Sequence, residues 1–182
     1  MNIYFLSDDN YFLTGASIII NNNTSFNAQF INPALVEITP TKKDIVFVHL
    51  INNIQRKTVL NRIGRCDCRI IIMVKSQIAK DGVKNRFPWF IRSDINENDL
   101  ISHLAEAVSA PLIKTYLSLC EEKLISDLIT GTDIIKISKK SGFSSKYAYH
   151  LKRHVLERFG LSSIHSGALI HIQEVICSRS SL

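Results

Sequence analysis

The stretch Gly131–Leu161, GTDIIKISKKSGFSSKYAYHLKRHVLERFGL, decides how the chain is read. One helical pattern runs from Asp133 to Lys140 and a second from Ser145 to Phe159, with Gly142-Phe143 between them. A glycine at or just past a helix end supplies the left-handed backbone that such ends need. Ser144 and Ser145 can cap the second helix. Ala148, Leu151, Val155, Leu156 and Phe159 then form an apolar stripe, while Lys146, Tyr149, His150, Lys152, Arg153 and His154 give the helix a polar side. Between Lys136 and Arg158, seven Lys or Arg stand against the single acid Glu157. A core face and a basic contact face therefore share one helix.

Outward from this stretch, Tyr116–Ile129 and Ser163–Cys177 are two further helical patterns, and no strand candidate remains after Ser109-Ala110-Pro111. Toward the N-terminus the pattern differs. The runs Asn2–Leu6, Phe26–Ile31, Asp44–Leu50, Arg69–Val74 and Pro88–Arg92 read as strands, rich in β-branched and aromatic residues. Tyr11–Asn21, Gln55–Ile63 and Asn98–Val108 read as helices between or after them, and Pro33–Ile38 as a stunted helix. In the connection Ser76–Arg86 a crossover helix would have to be very short. Strands alternating with helices predict an α/β domain, a doubly wound five-stranded parallel sheet, followed by an all-α four-helix domain. The expected boundary gives domains 1–110 and 111–182, with a short linker near residues 109–115.

The 182 residues suffice for two modest domains, and 46% hydrophobic with 21% charged residues is a soluble globular composition. Net charge is +6. Residues 113–182 hold ten Lys/Arg against six Asp/Glu, and residues 1–112 twelve against ten, so the positive field gathers toward the C-terminus. No secretory signal precedes the first strand, and no apolar run is long enough for a membrane span, so no membrane association is expected. Cys66, Cys68, Cys120 and Cys177 do not make a disulfide framework, and a reducing cytoplasm fits. Cys66-Asp67-Cys68 lacks further ligands at zinc-site spacing. His165 and His171 read as surface or satisfied core histidines. No nucleophile, base and orienting group can be assembled, so neither an enzyme nor a cofactor is expected.

A helix-turn-helix lays its second helix in the DNA major groove. Residues Gly131, Ile137, Phe143-Ser144, Tyr147–His154 and Arg158-Phe159-Gly160-Leu161 keep the spacing of the LuxR/FixJ-type helix-turn-helix of bacterial transcription regulators. The resemblance spans Leu117 to Val175. It departs from the family's usual residues at Lys136, at Tyr147-Ala148 and at Leu151. It implies base contacts by Tyr149, His150 and Arg153 and phosphate contacts by Lys139, Lys146 and Lys152.

Asp8-Asp9, straight after the first strand, resembles the Mg²⁺-holding acids of response-regulator receiver domains, which share the doubly wound fold. In that family an Asp ends the third strand as phosphoacceptor; His49 stands there in this chain, and the positions ending the fourth and fifth strands fall at Val74 and Arg92. The resemblance is to a degenerate receiver, in which Asp8 and Asp9 are weak metal candidates and no resident metal is expected. Together the two resemblances imply a sequence-specific regulator that binds double-stranded DNA. Its control would come from dimerisation or partner binding rather than aspartyl phosphorylation, as a homodimer or a heterodimer with another response regulator. The alternative is a protein-interaction module that modulates another regulator with little DNA binding of its own. Unorthodox phosphorylation at His49 or Asp9 is a third option.

Overall fold

A computed structural model of the chain describes residues 1–80, 86–162 and 167–177. The apolar runs form five strands, β1 (Ile3–Ser7), β2 (Ala28–Ile31), β3 (Ile45–His49), β4 (Arg69–Val74) and β5 (Trp89–Arg92). All pair in parallel in the order β2-β1-β3-β4-β5. Ile3 lies opposite both Ala28 and Ile45, and Ile72 opposite both Val48 and Phe90. Three helices belong to this sheet: α1 (Asn10–Asn23), α2 (Asn53–Ile63) and α3 (Glu97–Ser109).

Side chains alternate across a strand, so the sheet has two apolar faces. Ile3, Phe5, Ile45, Phe47, Ile71, Trp89 and Ile91 meet α1 and α3 through Ala16, Ile20, Leu100, Leu104 and Ala107. On the other face, Leu6, Val46, Val48, Ile70, Ile72, Val74 and Phe90 meet Val59, Leu60 and Ile63 of α2. A single 11-residue helix cannot cover that face. Between β4 and β5, where a crossover helix would lie, the described residues hold none; Ser76–Ile78 form a turn, and residues 81–85 of the expected connection lie outside the description.

The cover comes from the chain beyond residue 110. It forms α4 (Leu119–Ile129), α5 (Ile134–Ser141), α6 (Ser145–Arg158) and α7 (Gly167–Cys177). Ile125, Val155, Leu156, Phe159, Leu161, Leu169, Ile172 and Val175 belong to one continuous apolar cluster with the second face of the sheet. Phe159 packs edge-on against Phe90, ring centroids 6.3 Å apart. Burying one such side chain stabilises by about 1.5–3 kcal/mol, so exposing even a few would cancel the net stability of a typical domain. The sheet and the C-terminal helices thus share a core.

Backbone pairing reinforces this. Lys80 N–H donates to the Gly160 carbonyl at 2.8 Å and Ser162 N–H to that of Ile78 at 2.7 Å, around an antiparallel bridge between Ala79 and Leu161. The connection after α3 is also fixed: Phe87 N–H donates to Ile113 at 2.7 Å and Thr115 N–H to Phe87 at 2.8 Å. Lys114 is paired with Asp67 at 2.7 Å.

Two expectations need correction or a limit. Pro33–Ile38 is not a helix but one turn, in which Leu35 N–H donates to the Asn32 carbonyl and Ala34 N–H to the Asn32 side chain, each at 3.0 Å. Pro40 disfavours the helical region at Thr39, β-branched Val36 and Ile38 add to this, and so short a segment cannot sustain helix nucleation. Ile38 is nevertheless buried in the second face. The last helix is described from Gly167, so the expected start at Ser163, and with it His165, lies outside the described residues.

Candidate functional site

The geometry of α5 and α6 is set at their junction. Asp133 caps α5, accepting from Ile135 N–H at 2.8 Å, and Gly142 ends it with φ 71°, in the left-handed region. Phe143 N–H then returns to the Ser138 carbonyl at 3.0 Å. Ser144 caps α6, accepting from Tyr147 N–H at 3.2 Å, and Ser138 and Ser145 hydroxyls meet at 3.0 Å across the turn. Beneath the turn, Ile134 and Ile137 of α5, Ala148 of α6 and Leu124 of α4 form a separate apolar cluster. Each cap satisfies a backbone donor that the helix start leaves open.

With its inner stripe buried, α6 presents the other side to solvent. Lys146, Tyr149, His150, Lys152 and Arg153 line one shallow concavity of about 450 Å³. Positions 146, 149, 150 and 153 follow the i, i+3, i+4, i+7 spacing of a single helix face. Five of the six residues expected to contact DNA are thereby brought together. Lys139 is exposed in the last turn of α5 and does not line the concavity. The rings of His150 and His154 lie parallel, 6.4 Å apart. Arg153 Nε is 3.8 Å from Glu157 Oε1, and both are more than half or nearly half exposed, so this pair contributes little and leaves the guanidinium free to reorient.

One basic residue of the stretch is withdrawn from the face. Arg158 donates to Glu121 Oε2 at 3.0 Å. Glu121 is buried and also closes a capping box with Ser118 at the start of α4. The signature Ser-x-x-Glu at residues 118–121 marks that helix start in the sequence, although not its second use in holding α6 to α4.

At the carboxyl ends of the strands, the acids and the histidine are engaged structurally. Asp8 accepts from Ile51 N–H at 2.9 Å and from Asn52 N–H at 2.8 Å. Burial raises its pKa, but these two N–H bonds outweigh burial and hold the carboxyl below its ordinary range. Asp9 caps α1. His49 ends β3, its Nδ1 3.0 Å from Ser7 Oγ and its ring centroid 4.1 Å from that of Phe12. Burial pushes the His49 pKa down, against the opposing pull of Asp9 and Asp8. Val74 ends β4, and Arg92 ends β5, where it makes two bonds to Asp94 at 2.9 and 2.7 Å. Among the described residues, no group of three or more His, Cys, Asp or Glu is placed to hold a metal ion.

His171 is a satisfied buried histidine, its Nδ1 3.3 Å from Glu174 Oε2. No helix among the described residues is long and apolar enough to cross a membrane.

No protein-family model matches the chain. No curated protein matches it either. Among solved structures it is similar to RcsB in an assembly of two RcsB dimers bound to two parallel DNAs, with 15% identity, 97% of this chain and 98% of that chain covered, and a TM-score of 0.50. RcsB from Salmonella enterica serovar Typhimurium bound to a promoter gives 15% identity, 96% and 98% coverage and the same TM-score of 0.50. At such identity the likeness establishes a shared fold: a five-stranded receiver-like α/β sheet followed by a helical C-terminal part, the whole chain long.

Proposed function

We propose that the chain is a sequence-specific DNA-binding transcription regulator in which α5, the turn at Gly142 and α6 act as a helix-turn-helix of LuxR/FixJ type. On this reading residues 1–110 are a receiver-like domain and residues 111–182 the DNA-binding domain. The observation that carries it is the single exposed face of α6, where Lys146, Tyr149, His150, Lys152 and Arg153 converge on one concavity. A 14-residue helix is about 21 Å long and fits the major groove, which is roughly 12 Å wide.

The roles follow from side-chain chemistry. Arg153 can present two N–H groups to guanine O6 and N7, and Tyr149 and His150 are placed one turn earlier to reach neighbouring base edges. Lys146, Lys152 and Lys139 neutralise phosphates on either side, fixing register without reading sequence. The work is binding rather than catalysis. A single small reader makes a modest interface, so two copies on two half-sites are needed for tight binding, and RcsB, whose fold this chain shares, is described as dimers on DNA. A partner regulator with the same fold could supply the second reader. With His49 where an aspartate would accept phosphate, and Asp8 engaged by two N–H groups, control runs through partner binding rather than aspartyl phosphorylation.

A second reading, an interaction module acting on another regulator, draws support from one feature. Tyr11, Ile51 and Ile54 are 91%, 68% and 80% exposed at two helix starts that Asp8 and Asp9 hold side by side. A binding selection on random duplexes separates the two. The purified chain is expected to enrich a defined sequence; recovery of no common sequence, alone or with a candidate partner, would reject the reader and favour the module.

A further inference from the structure

A cleft of about 520 Å³ opens where the carboxyl ends of β3 and β4 meet the first turns of α7. It is lined from β3 and β4 and not from β1, one strand over from the β1–β3 gap where the chain direction across the sheet reverses. In open parallel sheets such a reversal leaves a crevice outside the strand ends, the usual place for a ligand. The volume is that of a small-molecule site. None of its lining residues belongs to α6, so it is separate from the face assigned above to DNA.

The polar groups of the lining define what it can hold. Ser7 is fully buried, and its hydroxyl oxygen already accepts from Asp9 N–H at 3.0 Å. When its one proton goes to His49 Nδ1, 3.0 Å away, the imidazole proton sits on Nε2 and that nitrogen is a donor. Lys75 is exposed at the end of β4 and has no ion-pair partner among the described residues. Arg56 has its fork engaged by Glu174 and by the Leu50 carbonyl, so it forms part of the wall and is not a free ligand group. His171 gives its Nδ1 proton to Glu174 and keeps Nε2 available. No acidic side chain lines the cleft among the described residues; Glu174 behind it is paired with Arg56 and bonded to His171, and Asp8 and Asp9, which act on His49, each accept from two backbone N–H groups.

We propose that this cleft binds a small anionic metabolite, its phosphate or carboxylate held by Lys75 Nζ and His49 Nε2–H and a neighbouring hydroxyl by His171 Nε2. Because the sheet forms one wall and Gly167, Ile170 and His171 of α7 the other, an occupant stabilises the arrangement that presents α6. The site thus offers a route by which a small molecule tunes the C-terminal helices without covalent chemistry.

The full chain is titrated with inorganic phosphate and, separately, with acetate at constant ionic strength, while the imidazole resonances and the thermal midpoint are followed. At least one oxyanion should shift His49 and His171 saturably and raise the midpoint in step, and Lys75→Gln should weaken that binding about tenfold, the loss of one charge-assisted hydrogen bond. Saturable shifts confined to His150 and His154 would place the anion on α6 instead and overturn the proposal. So would the absence of saturable shifts with both probes, or unchanged affinity in Lys75→Gln.

Discussion

Arg56 on α2 and Glu174 on α7, 118 residues apart in the chain, form a two-pronged ion pair, Nε to Oε2 and Nη2 to Oε1, each at 2.9 Å. Both side chains are at most 10% exposed, and Arg56 Nη1 also holds the Leu50 carbonyl at 3.1 Å. This pair fastens the last helix to the sheet domain, and α7 in turn backs α6. A buried pair of this kind adds little over an apolar one, but breaking it by removing one partner is costly because the other charge is left buried.

Glu174→Ala is accordingly expected to lower unfolding free energy by about 3–5 kcal/mol, and Arg56→Met combined with Glu174→Leu to restore most of it. Because sheet and C-terminal helices share one core, urea unfolding should show a single transition by fluorescence and by circular dichroism. Two separated transitions, or a loss under about 1 kcal/mol in Glu174→Ala, would show that the pair does not couple them.

Two groups make the titration of stability testable. Burial raises the pKa of Glu174, but bonds from His171 and Arg56 outweigh burial and hold it below the ordinary 4.5. Its stabilisation is present above pH 4.5 and is lost as pH falls further, through the depressed folded-state value. His49 has its pKa pushed below 6.5 by burial, so stability falls as pH drops below 6.5, where only the unfolded chain takes up the proton. Urea midpoints from pH 3 to 8 should show both acid limbs, with His49→Gln removing the upper one and Glu174→Gln reducing the lower, to which Asp8, Asp44 and Glu121 also contribute.

Gly142 closes α5 at φ 71°, and nothing stands within 4 Å of where a Cβ would lie. The cost of Gly142→Ala is therefore backbone strain alone, about 1 kcal/mol, and Gly142→Asn should cost less. Thermal unfolding of the three proteins tests the order.

Cysteine labelling reports on the packing at the start of β4. Cys68 is buried and its thiol is pushed up to about 12, first by burial and then by Cys66, whereas Cys120 is exposed. Iodoacetamide at pH 8 should alkylate Cys120 in the native protein and leave Cys68 untouched until denaturant is added, as peptide mass mapping would show.

Much of this architecture is legible in the residues. Val46, Phe47 and Val48 announce a buried strand by type alone, and Gly142 and Gly160 mark helix ends because few other residues accept that backbone. The expected helix at Pro33–Ile38 misread an apolar run whose burial, at Ile38, is against the sheet rather than along a helix. The shared core was hidden for a different reason. Burial of Val155, Leu156 and Phe159 could equally have been satisfied inside the helical part, and nothing local says that a sheet face lacks its crossover helix. The signal that was present lies in α7, GALIHIQEVIC, which is apolar nearly all round and so must be covered on more than one side. The candidate DNA face was legible in its helix spacing, while the Arg158–Glu121 pairing was not, since the partners are 37 residues apart.

On the proposed function the exposed face of α6 reads DNA sequence. The most direct test of this reading is equilibrium binding to a duplex carrying the selected site and to a scrambled duplex, across salt, for the wild type, Lys152→Ala and Arg153→Ala. Log affinity should fall linearly with log salt, with a slope reduced by about 1 and uniformly weaker binding in Lys152→Ala, and a loss of about 1–3 kcal/mol on the selected site alone in Arg153→Ala. Equal wild-type affinity for both duplexes, with neither substitution changing affinity or slope, would contradict it.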